Sequence, residues 1–298
     1  MQQVQDLFCT SPAGLRICYR TYGESSGTPL MLIAGLGLQL IAWPARLIDQ
    51  LVAQGYFVIT LDNRDAGRSD RVDAPPPSVM QQLLRRPGDG YELGDMALDA
   101  VAVLDALDIE RAHVVGMSMG GMIAQTVAAR FAQRTQSLTS IFSTTGAPRV
   151  GQPTMPTLLK LVASPAARSR DEAINRYVAI TRHIGPTTYH VSHSELQDYA
   201  GQAWDRGLGT KDAEATARQI GAIMRSGDRT AELAKVKAPT LVIHGHRDPL
   251  VHHSGGVATA RAIKGAGLIT MHGMGHYLPQ GALPHLADLI GGHTRRCA

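Results

Sequence analysis

Over the first half of the chain, short apolar and β-branched runs alternate with stretches whose apolar residues recur every three or four positions. Residues 30–34 and 56–62 read as buried strands, and 43–54 and 96–107 as amphipathic helices. Residues 112–117 form another buried strand, with a helix behind it at 122–130. Such alternation predicts a mostly parallel central sheet covered by helices on both faces, an α/β architecture. Residues 4–10 and 15–21 bracket the turn Ser11-Pro12-Ala13-Gly14 and predict an antiparallel hairpin at the start.

After a strand-like segment at 138–143 the pattern changes. Residues 149–226 show no strand periodicity and several amphipathic helical segments, two of them opened by Ser169/Glu172 and Ser192/Glu195, the spacing of a capping box. Strand periodicity returns at 239–245 and 268–271. The chain therefore divides into an α/β core, residues 1–148 and 227–298, and a helical cap, or lid, inserted at 149–226.

A length of 298 residues suits one α/β core plus an insertion. The apolar share of 44% is ordinary, and the charged share of 18% is low enough to fit a large buried sheet. The longest apolar run, 29–44, is interrupted by Gly35, Gly37 and Gln39 and falls short of the ~20 residues of a membrane span. Residues 1–6 carry neither the basic start nor the apolar segment of a secretory signal, so a cytoplasmic location is expected. The net charge of +4 is scattered, with only Arg85-Arg86 and Arg295-Arg296 adjacent, and predicts no nucleic-acid partner. Cys9, Cys18 and Cys297 lack metal-ligand spacing. Cys9 and Cys18 flank the first turn, where they could face one another, and are expected as reduced strand residues.

The chemistry begins at Gly116-Met117-Ser118-Met119-Gly120. A G-x-S-x-G pentapeptide alone is weak, but here a strand runs into it and a helix leaves it, the context of a nucleophile elbow. A serine hydroxyl needs a base, and the base needs an acid to fix its tautomer. Asp248, just past the strand at 239–245, and His276, just past the strand at 268–271 on a loop loosened by Gly273 and Gly275, supply both in the order Ser, Asp, His. The backbone amides of Met119 and Leu36 are the expected oxyanion donors, the second from the loop after the strand at 30–34. Among other histidines, His113 reads as a buried strand residue, and His252-His253 lack companions for a metal site. His244, His246 and His272 flank the triad loops with no direct role assigned. Arg64 and Asp65 read as part of a turn-stabilising network.

With these motifs and the surroundings of Gly35, Trp43-Pro44, Asn63-Arg64-Asp65 and Gly273-Met274-Gly275-His276 in place, the chain resembles an α/β-hydrolase over its whole length. Within that superfamily it is similar to bacterial esterases of the aclacinomycin methylesterase type. The resemblance implies Ser118 as nucleophile, Asp248 as orienting acid, His276 as base, Leu36 and Met119 as the oxyanion hole, and no cofactor or metal. It departs in carrying Ala34-Gly35 for the common His-Gly and Arg64-Asp65 for the usual Arg-Gly. The expected reaction is serine-dependent hydrolysis of a small or hydrophobic carboxylic ester through an acyl-enzyme, with a small-molecule ester as partner and a homo-oligomer left open. Perhydrolase or C–C bond hydrolase chemistry on the same triad, and a ligand-binding receptor that retains the pocket, remain alternatives. Dehalogenase and epoxide hydrolase readings are disfavoured, because they use an aspartate where Ser118 stands. Substrate choice is assigned to the insertion, with Tyr189, Tyr199, Trp204 and Met224 as its bulky candidates.

Overall fold

The Ser11–Gly14 turn, closed by a Gly14 N–H to Ser11 carbonyl bond of 2.9 Å, reverses the chain between β1 (Leu7–Thr10) and β2 (Arg16–Tyr22). The register places Cys9 opposite Ile17 and Cys18 opposite Phe8. Successive residues of a strand point to opposite faces, so the two cysteines do not face each other, and both are free thiols. The computed structural model describes residues 5–185, 188–207 and 209–297. The start of the first predicted strand, most of the segment read as lacking a secretory signal, and residues 186, 187 and 208 of the predicted insertion lie outside the described residues.

Six further strands complete the sheet: β3 (Thr28–Ile33), β4 (Tyr56–Leu61), β5 (Ala112–Met117), β6 (Thr135–Ile141), β7 (Thr240–Gly245) and β8 (Gly267–Met271). Their order is β1-β2-β4-β3-β5-β6-β7-β8, antiparallel up to the β2/β4 pair and parallel from β4 onward. Both faces are covered at the centre of the sheet, which is why β4 and β5 are buried along their whole length, whereas the edge strands β1 and β8 alternate. On one face Met31, Ile33, Ile59 and Val114 pack against Ala97 and Leu104 of α3 (Leu93–Ala106) and Ile123 and Val127 of α4 (Met119–Arg130). On the other, Leu30, Leu32, Val58 and Val115 meet Leu47 and Leu51 of α1 (Ala45–Ala53) and Leu286 and Ile290 of α11 (Leu283–Arg295). The chain leaves β3 toward β4 on one side and later returns to β5 on the other. That switch point falls at the carboxyl ends of β3 and β5, the place where ligands of open α/β sheets bind.

The short helix α2 (Val79–Leu83) precedes α3, and the connection between β6 and β7 begins with α5 (Met155–Val162), α6 (Arg170–Ile184), α7 (His193–Arg206) and α8 (Asp212–Ser226). Then come α9 (Thr230–Leu233) and, beyond β7, α10 (Ser254–Ala262). Ser169 and Ser192 accept the Glu172 and Glu195 amides, but the reciprocal half of each box is missing. Glu172 instead takes the Arg168 amide at 2.7 Å, and the Ser192 hydroxyl also meets that of Ser194. The two ends of this connection meet at a narrow neck. Gly146 lies directly against the Gly227 carbonyl, with no room for a methyl between them, and the Arg229 amide donates to the Thr145 carbonyl at 2.9 Å.

The helices are tied to the sheet by buried ion pairs. Arg206 of α7 bonds Asp62 at 2.6 Å and Asp6 at 3.3 Å, and Arg218 of α8 bonds Asp65 at 2.6 Å. Asp62 also accepts the Leu40 and Arg68 amides, and Asp65 accepts the Tyr91 hydroxyl, while Arg64 pairs with Asp99. The network read locally around Arg64 and Asp65 therefore reaches more than 150 residues along the chain, to Arg218. No helix among the described residues is long and apolar enough to cross a membrane.

Two histidines are sealed into the sheet. His113 bonds the Ser137 hydroxyl at 2.7 Å, His244 bonds the Val251 carbonyl at 2.8 Å, and burial pulls each ring from the ordinary 6.5 down to about 4. Both are neutral when folded and would bind a proton when unfolded between those values. Their contribution is complete above about pH 6.5 and is lost as pH falls toward 4, roughly 3 kcal/mol for each ring. Urea unfolding at pH 7.5 and pH 4.5 should show the loss, and His113→Gln should remove about half of it. Equal stability at the two pH values contradicts the assignment.

Candidate active site

Ser118 ends β5 and begins α4, at φ 57° and ψ −122°. Few non-glycine residues adopt that backbone, and it costs about 1–3 kcal/mol unless the surroundings enforce it. Here they do. The Ser118 amide donates to the Ile141 carbonyl at 2.9 Å, and its own carbonyl accepts from the Met122 amide at 3.1 Å and the Ser143 hydroxyl at 2.8 Å. Gly116 and Gly120 face each other across the turn, and Gly120 lies against the Ile33 and Ala34 carbonyls, so a side chain at either would push α4 off the sheet. Because Ser118 itself caps the helix, α4 starts at Met119 rather than at 122 as the apolar spacing predicts.

The three residues singled out from the sequence converge. The Ser118 Oγ lies 2.9 Å from His276 Nε2, and His276 Nδ1 lies 2.6 Å from Asp248 Oδ2. Asp248, at 2% exposure, follows β7 and accepts the Leu250 and Val251 amides on Oδ1, at 2.9 and 2.8 Å, which leaves Oδ2 for the imidazole. The neutral His244 sits 3.7 Å from the same carboxylate and gives it no cationic competitor. His252 and His253 bond the Ser254 and Thr270 hydroxyls, and no group of three or more candidate metal-binding side chains gathers among the described residues.

The loop carrying His276 is held rather than loosened by its glycines. Gly275 packs on the carbonyls of Ile184 and Gly185 at the end of α6, leaving no space for a side chain, and the His276 amide donates to the Ile184 carbonyl at 2.7 Å. The Phe142 ring lies 4.5 Å from the imidazole, centroid to centroid. Ser143, Phe142 and Ile184 went unnoticed in the sequence. Phe142 and Ser143 lie inside or beside a strand pattern, and Ile184 acts through its backbone.

Met119 directly follows Ser118, and Leu36 lies on the loop after β3 that packs against the Ser118 side chain. Gly35 abuts the Ser118 side chain, with 3.2 Å from the position of an added methyl to the Ser118 Cβ, and Leu36 follows it. Among the described residues neither amide is bonded to a protein acceptor. Met119 is the first residue of α4, so its N–H also carries the positive end of the helix dipole. Two free amides beside a serine hydroxyl can stabilise a developing oxyanion.

A tyrosine cluster joins α6 to α7 and feels Tyr277, the residue after His276. Tyr177 of α6 and Tyr199 of α7 lie 4.8 Å apart, both influenced by Tyr277, and desolvation raises all three phenols. Of the four insertion candidates, Tyr199 belongs to this group, Tyr189 packs on Gly281 in the core, and Trp204 covers Gly209. Met224 is half-buried on α8. Burial raises Cys9 to about 11 and Cys18 to about 12, so neither supplies a thiolate at neutral pH.

Comparison with known proteins matches this architecture. The alpha/beta hydrolase fold family matches residues 28–279. The chain is 31% identical over 296 residues to the rhodomycin D methylesterase DauP of a Streptomyces species, covering 92% of this chain and 93% of that protein. It is 30% identical to the 2-hydroxymuconate semialdehyde hydrolase of a Pseudomonas species, covering 94% and 90%. The crystal structure of the esterase RhEst1 from a Rhodococcus species superimposes with a TM-score of 0.74 at 22% identity, over 97% of this chain and 99% of that one.

Proposed function

The chain belongs to the alpha/beta hydrolase fold family, and from that membership we propose that it hydrolyses carboxylic esters, methyl esters foremost, through a Ser118 acyl-enzyme. The observation that carries this reading is the unbroken Ser118–His276–Asp248 relay, at 2.9 and 2.6 Å, beside two unbonded amides. His276 Nε2 takes the Ser118 proton as Oγ attacks the ester carbonyl, and the Leu36 and Met119 amides receive the oxyanion. Collapse returns the proton to the leaving alcohol. His276 then deprotonates water, which attacks the acyl carbonyl and releases the acid, restoring Ser118. Asp248 stays ionised throughout and holds Nδ1 protonated, so that Nε2 is the basic nitrogen.

We assign the helices at 149–226 as a fixed cap over this site. Its ion pairs to Asp6, Asp62 and Asp65 support a roof anchored to the core, and Tyr177 and Tyr199 supply an aromatic wall for the acyl group. C–C bond hydrolysis is the second reading, favoured by the 30% identity to the semialdehyde hydrolase over nearly the whole chain.

Labelling with a fluorophosphonate, followed by mass spectrometry and a substrate panel, tests the proposal. The label is expected on Ser118, with turnover of methyl and p-nitrophenyl esters far above that of 2-hydroxymuconate semialdehyde. A label on another serine removes the mechanism. Preference for the semialdehyde replaces the ester reading with the second one.

A further inference from the structure

The loop that carries the Leu36 amide is not held by the core alone. Residues 35–38 form a turn closed by a Leu38 N–H to Gly35 carbonyl bond of 3.2 Å, with Gly37 in its third position at φ 65°. The central peptide of this turn carries the Gly37 N–H and the Leu36 N–H belongs to the peptide just before it, so a partner that fixes the Gly37 N–H also limits how far the adjoining Leu36 peptide can reorient. That partner comes from α8. The Gly37 amide donates to Gln219 Oε1 at 2.8 Å, Gln219 Nε2 donates to the Arg64 carbonyl at 2.9 Å, and the Gln219 side chain is fully buried. One turn earlier on the same helix, Thr216 presses on Gly37, so that a methyl there would reach within 3.0 Å of its Oγ1. α8 is itself fixed by the Arg218–Asp65 pair next to Gln219.

We propose that Gln219 is a positioning residue for the oxyanion hole: through the Gly37 amide it sets the turn so that the neighbouring Leu36 N–H faces Ser118. This rests on the hydrolase reading given above. Gln219 touches no reacting atom. Its removal leaves the buried Arg64 carbonyl without its protein partner and frees the Gly37 N–H, on an exposed residue, from the one side chain that holds it, so the turn reorients and withdraws Leu36. The alignment is needed only when negative charge develops on the carbonyl oxygen, so the loss falls on the transition state and not on substrate binding.

The test compares Gln219→Met, which keeps the shape and loses both bonds, with Gln219→Glu, which keeps an acceptor opposite Gly37, and with Ser226→Ala, which removes the acceptor of the Leu93 amide at the far end of the same helix. Three readouts are taken: kcat and KM for p-nitrophenyl acetate, Ki for a trifluoromethyl ketone whose hemiketal oxygen occupies the oxyanion hole, and Tm. Gln219→Met is expected to lower kcat by roughly 10- to 100-fold and to raise Ki in parallel, with KM within about threefold. Gln219→Glu should recover part of both losses. Ser226→Ala should lower Tm with kcat and Ki within about threefold of wild type. If Gln219→Met does not fold, Gln219→Asn, one methylene too short to reach Gly37, carries the same comparison. Wild-type kcat in the variant, or a kcat loss without a change in Ki, overturns the proposal. A wild-type protein that is neither labelled at Ser118 nor active on esters overturns the hydrolase reading instead.

Discussion

Ser118→Ala is expected to lower kcat by about 10⁶-fold while the protein remains folded. The variant loses the Oγ that lies 2.9 Å from His276 Nε2, the hydroxyl to which the proposed mechanism assigns the attack. Alanine keeps the Cβ and therefore the same cost at φ 57°, so unfolding free energy should change little. Ser118→Gly separates the two roles. It is equally inactive, but glycine accepts that backbone without strain, and stability should rise by about 1 kcal/mol. Steady-state turnover and urea unfolding of the three proteins check both halves. Residual turnover above a thousandth of wild type in purified Ser118→Ala places the nucleophile elsewhere.

Asp248→Asn carries the second large effect, about 10⁴-fold in kcat with KM little altered. The direction follows from the two amides on Oδ1. Leu250 and Val251 both donate there, so the variant must keep its carbonyl oxygen at that position and turn its NH2 group toward His276 Nδ1. An imidazole facing a donor places its proton on Nε2, the nitrogen that has to accept from Ser118. Geometry survives and the tautomer is wrong. Near-normal turnover in this variant means that another carboxylate orients the base.

The parts of this molecule legible in the sequence are those whose cause is local. Gly116 and Gly120 flank Ser118 within five residues, and strand periodicity before Asp248 and His276 puts both at the carboxyl edge of the sheet. The misread details come from tertiary pairing. The Cys9↔Ile17 register, not proximity to the turn, decides where the thiols point. Glu172 has the spacing of a capping box and bonds Arg168 instead. Gln219 is the deepest omission: it lies within a helix among residues of ordinary amphipathic pattern, and its partners, Gly37 and Arg64, are 182 and 155 residues away. Only the folded chain brings them together.

The neck at Thr145–Gly146 and Gly227–Arg229 has an engineering consequence. Because the two ends of the proposed cap lie against each other, exchanging its helices for those of another hydrolase is expected to join two adjacent ends without stretching the sheet. Such a graft is not a neutral change of roof. The transplanted segment has to bring a side chain that reaches the Gly37 amide and a carbonyl that takes the His276 amide, as Gln219 and Ile184 do here. A chimera chosen only for the shape of its binding cavity would fold around a complete triad and still turn over slowly.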